Sequence, residues 1–139
     1  VTAGWEDAYF TDFSGSSGKG AYPIVLSYSS SPAAEVREDG LSQTVALLDS
    51  CYRQTEFAGV LAKAKNKSAA QEFVQFLLSQ SFQSTLAESM YVYPIDASVA
   101  LPEAWQEFAP VTSKPVGGEL NLNANREFWL KTWSDIFAG

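Results

Sequence analysis

The run Tyr22-Pro-Ile-Val-Leu-Ser-Tyr28, with the Ser29-Ser30-Ser31-Pro32 that follows it, constrains the fold of this chain more than any other stretch. Tyr22, Ile24, Leu26 and Tyr28 recur at period two, and the run is β-branched and aromatic, so it predicts a strand. Pro23 stands near its start, where a missing N–H is tolerated. Ser31 followed by Pro32 is an N-cap with proline at the first helical position. A short helix is therefore expected over 32–39, stopped near Gly40.

The same alternation continues along the chain. Residues 43–48 and 56–63 read as two further strands, with Gly59 marking a bulge or a close backbone approach. Trp5, Ala8, Tyr9 and Phe13 have helical spacing behind a capping Thr2. The stretch 14–20, SGSSGKG, reads as a loop or as the end of a helix followed by a turn. Ser68 is expected to cap a helix beginning at Ala69, with Gln71 completing a capping box; Phe73, Phe76 and Leu77 form its apolar stripe. A short helix is expected over 80–88, with Phe82 and Leu86 inward, and residues 90–95 are expected to be extended. Leu101, Trp105 and Phe108 repeat at i, i+4, i+7 behind Pro102. Residues 110–120 read as a loop. Asn123 is placed to cap a last helix over 124–137 with Trp129, Trp133, Ile136 and Phe137 inward. Strands alternating with helices predict an α/β layered domain spanning 1–139, with 22–28 and 56–62 in one sheet; the long loops and aromatic helices leave an α+β arrangement open.

Composition excludes several chemistries. The chain has 139 residues, 46% of them apolar, which is enough to build a core. It carries 9 basic and 16 acidic residues, a net charge of −7, which argues against nucleic acid as a partner. It has no histidine, so Ser-His-Asp and Cys-His catalysis and histidine-ligated metals are ruled out. One cysteine, Cys51, excludes an intrachain disulfide and any multi-cysteine zinc site. No apolar run reaches the ~20 residues of a membrane span, and there is no Gly-rich phosphate loop, since SGSSGKG lacks the Walker spacing; no cofactor is expected. Nineteen aromatic residues in a negative field suit a cationic or flat heterocyclic ligand. Trp5, Tyr28, Tyr91 and Tyr93 stand at the ends of predicted elements, where α/β proteins place ligands.

Several segments together resemble the substrate-binding proteins of bacterial thiamine ABC transporters. These are Gly4-Trp5-Glu6-Asp7-Ala8-Tyr9, then Val25 to Ala33 (VLSYSSSPA), then Cys51 to Val60 (CYRQTEFAGV). Tyr91-Val92-Tyr93-Pro94 with Leu101-Pro102, and the closing Trp129…Trp133, follow in the same order as in that family. Ala69-Ala70-Gln71-Glu72-Phe73 with Ser79 and Phe82-Gln83 resembles helices common to many type II binding proteins.

The resemblance implies a three-layer α/β lobe of the type II periplasmic-binding class, here the C-terminal part of a two-lobe protein. It implies an extracytoplasmic, non-enzymatic role: thiamine or a thiamine phosphate is bound as cargo and delivered to an ABC permease. Trp5, Tyr28, Ser30 and Tyr91 are the ligand-binding residues it implies, with Glu6, Asp7 and Glu56 as candidate countercharges. The N–H groups and hydroxyls of Tyr28 to Pro32 are expected to face the ligand. Ala34 departs from relatives that carry an aromatic after the SPA block, and Arg53-Gln54 departs from the Gram-negative pattern. The alternatives are a binding lobe for iron, a polyamine or a sulfonate, a thiamine-related enzyme using Cys51, and the sensing domain of a regulator. An isolated lobe is also expected to self-associate through its exposed cleft face.

Overall fold

The computed structural model describes residues 2–16, 18–117 and 119–137; the expected loops at 14–20 and 110–120 each include one residue, Ser17 and Gly118, outside that description. In chain order its helices are α1 (Trp5–Asp7), continued by a π-turn (Ala8–Asp12), α2 (Ser31–Ala34), a 3₁₀ turn (Leu48–Ser50), α3 (Lys67–Leu77), α4 (Gln80–Gln83), α5 (Leu86–Met90), α6 (Glu103–Phe108) and α7 (Leu122–Phe137). The chain forms two compact units, one drawn from Val1–Leu26, Leu48–Arg53 and Thr112–Gly139, the other from Ser27–Leu47 and Gln54–Val111.

The expected α/β lobe is not what these residues form. Among the described residues there is no sheet, only isolated bridges joining Phe13 with Tyr22, Val36 with Ser42 and Tyr52 with Val116. The three runs read as strands are irregular, and Ile24, Leu26, Val45, Phe57 and Leu61 are all exposed. β-propensity measures how well a side chain suits a half-buried pleated surface, so it becomes a strand only where a neighbouring strand supplies the ladder and the cover. Here that neighbour is missing. Without a ladder, Gly59 marks no bulge.

In the first unit, the Tyr22 N–H donates to the Asp12 carbonyl at 3.0 Å and the Ser14 N–H to the Tyr22 carbonyl at 2.8 Å. Gly20 lies so close to the Asp12 and Phe13 backbone that no Cβ could stand there. Above this crossing, Trp5 stacks on Tyr9 at 5.0 Å, and Phe13 closes on Tyr9 at 5.6 Å. The Arg53 guanidinium donates to the Thr112 carbonyl at 2.8 Å, and the Val116 N–H to the Cys51 carbonyl at 2.8 Å.

The core of the second unit is Ala87, Trp105 and Ala109, with Ala33, Tyr93 and Leu101 packed against it. Trp105 arrives there as its i, i+4, i+7 spacing predicts, and Tyr93 meets it edge-on at 5.1 Å. α7 departs from expectation: it is capped by the Asn121 carboxamide, which accepts from the Ala124 N–H at 3.0 Å, and Trp129, Trp133, Ile136 and Phe137 remain partly exposed. α3 starts two residues earlier than predicted. Its cap is Asn66, whose Oδ1 accepts from the Ala69 N–H at 3.0 Å, while the Ser68 hydroxyl points along the helix toward Glu72. Asn and Ser are equally good caps; the turn ahead of the helix decides between them.

Two substitutions check this packing. Asn66→Ala should lower stability by about 1 kcal/mol in chemical denaturation, with Ser68→Ala within about 0.5 kcal/mol of wild type. Trp105→Ala should cost about 3–5 kcal/mol as a large-to-small change in the core. Trp133→Ala, at a position 56% exposed, should cost far less. Equal losses at the two tryptophans would contradict the burial described.

Candidate functional site

The second unit holds a concavity of about 280 Å³. Ala33 and Ala34 of α2, Glu88 of α5, Tyr91, and Pro102 with Trp105 of α6 contribute its lining. Its wall is built by contacts between segments far apart in sequence. Ser30 is 2% exposed, and its hydroxyl donates to the Tyr91 carbonyl at 2.8 Å. The neighbouring Ser29 hydroxyl lies 3.3 Å from the Tyr93 hydroxyl, which donates to the Ala109 carbonyl at 3.0 Å. Gln83, buried in α4, reads both sides of its amide: Nε2 donates to the Leu77 carbonyl at 2.7 Å and Oε1 accepts from the Ile95 N–H at 2.8 Å. Residues 91–95 are thus held from both ends.

The serine-rich turn serves this wall differently from the expectation. The Ser31 N–H donates to the Tyr28 carbonyl at 3.0 Å and the Ala33 N–H to the Ser30 carbonyl at 3.1 Å, while Pro32 has no N–H to give. The Ser27 and Ser31 hydroxyls bond each other at 2.8 Å. These groups are used internally, and a four-residue helix offers no anion site. What faces the concavity is mixed in polarity: small alanines and Pro102 stand with two aromatic residues, Tyr91 and Trp105, and one carboxylate, Glu88. Ala34 lines it directly.

Of the residues implied by the resemblance, the structure brings Ser30 and Tyr91 together. Tyr28 is exposed and does not line the concavity, and Trp5 belongs to the first unit. Glu88 was missed by the sequence reading. Its signal was its position one helical turn before Tyr91, but an exposed glutamate in a short helix does not stand out. Of the acids named from the sequence, none lines this concavity. Among the described residues no cluster of three metal-ligating side chains occurs, and no helix is long and apolar enough to cross a membrane.

Comparison with known proteins gives the class first. The chain is similar over nearly its whole length to bacterial solute-binding proteins. The particular relatives are named thiamine-binding periplasmic protein. The one from Escherichia coli (strain K12) is 31% identical over 135 residues, 96% of this chain and 39% of the relative. The one from Salmonella typhimurium (strain LT2) is 30% identical over 135 residues, with the same shares covered. That from Brucella melitensis biotype 1 is 28% identical over 138 residues, again 96% and 39%. The resemblance carried by the GWEDAY, VLSYSSSPA and YVYP segments is borne out by these matches. The chain spans 39% of the length of these curated relatives. No protein-family model matches the chain, and no solved structure does.

The turn that follows the wall segment gives a pH prediction. The Ser98 hydroxyl donates to the Asp96 carboxylate at 2.7 Å and the Ser98 N–H at 2.8 Å, and these two bonds, the hydroxyl's first, hold its pKa below the ordinary aspartate value. A depressed folded-state pKa contributes stability that is present above the unfolded value and lost as pH falls through the folded one. In an NMR titration Asp96 should protonate at lower pH than an unperturbed aspartate, and Ser98→Ala should move it back up. A midpoint unchanged by that substitution would show that the hydroxyl bond is not formed.

Proposed function

We propose that this chain carries part of the solute-binding wall of an extracytoplasmic binding protein that takes thiamine or a thiamine phosphate and passes it to an ABC permease. The observation that supports it most is the similarity over 96% of the chain to proteins named for thiamine binding in the periplasm. The site is compatible in kind. A cationic, flat heterocycle is favoured by an aromatic ring and a carboxylate beside a small recess, and Tyr91, Glu88 and the alanines around Trp105 supply these. Tyr28 is proposed as a further ring contact, and Trp5 as a ligand-facing ring within its own unit. Trp5 is 41% exposed while Tyr9 backs its ring. The ligand is cargo, neither consumed nor used as a cofactor, and the role requires no bond to be made or broken. The alternative enzymatic use of Cys51 is disfavoured: the chain has no histidine to act as base, and the relatives are named as binding proteins.

A recess of this size covers only part of such a ligand, and affinity follows the contacts made. Calorimetric titration with thiamine should therefore show weak binding by this chain, with Kd on the order of 10–1000 μM. Tyr91→Ala should weaken it about 2- to 30-fold, the worth of one cation–π contact at about 1.4 kcal/mol per decade. Glu88→Gln should weaken it by removing the countercharge. Absence of binding at millimolar thiamine would remove this reading, and submicromolar binding would contradict a one-sided wall.

A further inference from the structure

We infer that Ser30 is a positioning residue that fixes the backbone of Tyr91 in a left-handed conformation and so sets where the Tyr91 side chain stands at the recess. Tyr91 has φ +57° and ψ +30°, and it is the one non-glycine residue at positive φ among those described. That conformation costs a residue with a Cβ, and aromatic residues lack the short polar side chain that lets Asn or Asp bond locally there. The position is the C-cap of α5, where glycine is the ordinary solution. A tyrosine stands there instead. Strained backbone persists only where the surroundings over-determine it.

The surroundings that do so come from the distant serine turn. Ser30 is 2% exposed, and its hydroxyl donates to the Tyr91 carbonyl at 2.8 Å across 61 residues of sequence. Its own carbonyl is fixed by the Ala33 N–H at 3.1 Å, so the donor belongs to a rigid turn. The buried Ser30 hydroxyl loses its partner if the peptide after Tyr91 rotates, and leaving such a group unpaired is costly. The Ser30 bond therefore opposes relaxation of Tyr91 toward an ordinary φ. The serine hydroxyl assigned to the ligand by the family resemblance acts, on this geometry, through the ring at the recess. For its ligand arm this rests on Tyr91 belonging to the thiamine wall proposed above; its backbone arm does not.

The test uses isotopically labelled chain and two readouts. The one-bond Cα–Hα coupling and the Cα shift of Tyr91 distinguish a left-handed residue from others. The unsubstituted chain should give the left-handed signature and Ser30→Ala should lose it; retention of the signature in a folded Ser30→Ala protein overturns the inference. Thiamine titration supplies the second readout. Ser30→Ala should weaken binding by about as much as Tyr91→Ala does, and in the Tyr91→Ala background it should add less than about a twofold change, because residues acting through one another are not additive. A full additional loss in that background means that Ser30 acts independently of the Tyr91 ring, and overturns the inference. If Ser30→Ala does not fold, the unsubstituted chain decides: exchanging the Ser30 hydroxyl proton for deuterium should shift the Tyr91 carbonyl carbon, and no shift means no bond. If the unsubstituted chain binds no thiamine at all, the solute reading falls and the backbone signature still decides the role of Ser30.

Discussion

The Tyr93 hydroxyl is the bond on which the second unit depends. It donates to the carbonyl of Ala109, a residue with no exposed surface, and takes part in the contact with Ser29. The Tyr93 ring meanwhile packs edge-on against Trp105. One side chain therefore satisfies the end of α6, touches the serine turn and covers the core tryptophan. Without it a buried carbonyl would be left unpaired, at a cost of about 1–3 kcal/mol. The recess is framed by these same segments, so its form follows from this junction.

How far the structure was legible depends on the distance over which each signal acts. Trp105 was legible, because i, i+4, i+7 spacing behind a proline is a property of one short segment and α6 needs little else. The α1 turn, α3 and the final helix were found for the same reason. Trp133 carried an equally good helical pattern and is half exposed. Periodicity tells which face of a helix is apolar, and it does not tell whether another element covers that face. The run Tyr22–Tyr28 fails by the same logic. Its side chains suit a sheet, but a sheet is a relation between segments, and among the described residues the bridge this run makes is at Tyr22.

The site shows the same division. Ser30 and Tyr91 were singled out through a resemblance that kept their order in the chain, and the structure joins them, yet the direction of the serine hydroxyl was not readable. Its N-cap context, Ser-Ser-Pro at a helix start, suggested groups open to a ligand. The local bonds from Ser31 and Ala33 hold the turn together, and only the three-dimensional turn shows that the hydroxyl reaches a carbonyl 61 residues away in sequence. Glu88 was invisible for a simpler reason: one acid among 16 gains meaning only from the recess beside it.

The π-turn at Ala8–Asp12 bears on how this region tolerates changes in length. Its Phe13 N–H reaches back five residues to the Ala8 carbonyl at 2.9 Å, where an α-helix would reach back four. A π-turn therefore holds one residue more than the α-helical path between the same ends. Removing one residue there would restore ordinary helical bonding, so the backbone itself offers no resistance to the deletion. The side chains would resist: each residue of an α-helix advances by about 100°, so Phe13 would swing away from Tyr9, and Asp12 would leave the crossing with Tyr22. The extra residue thus works as a phase shifter, setting the angular phase between the Trp5 stack and the chain that follows.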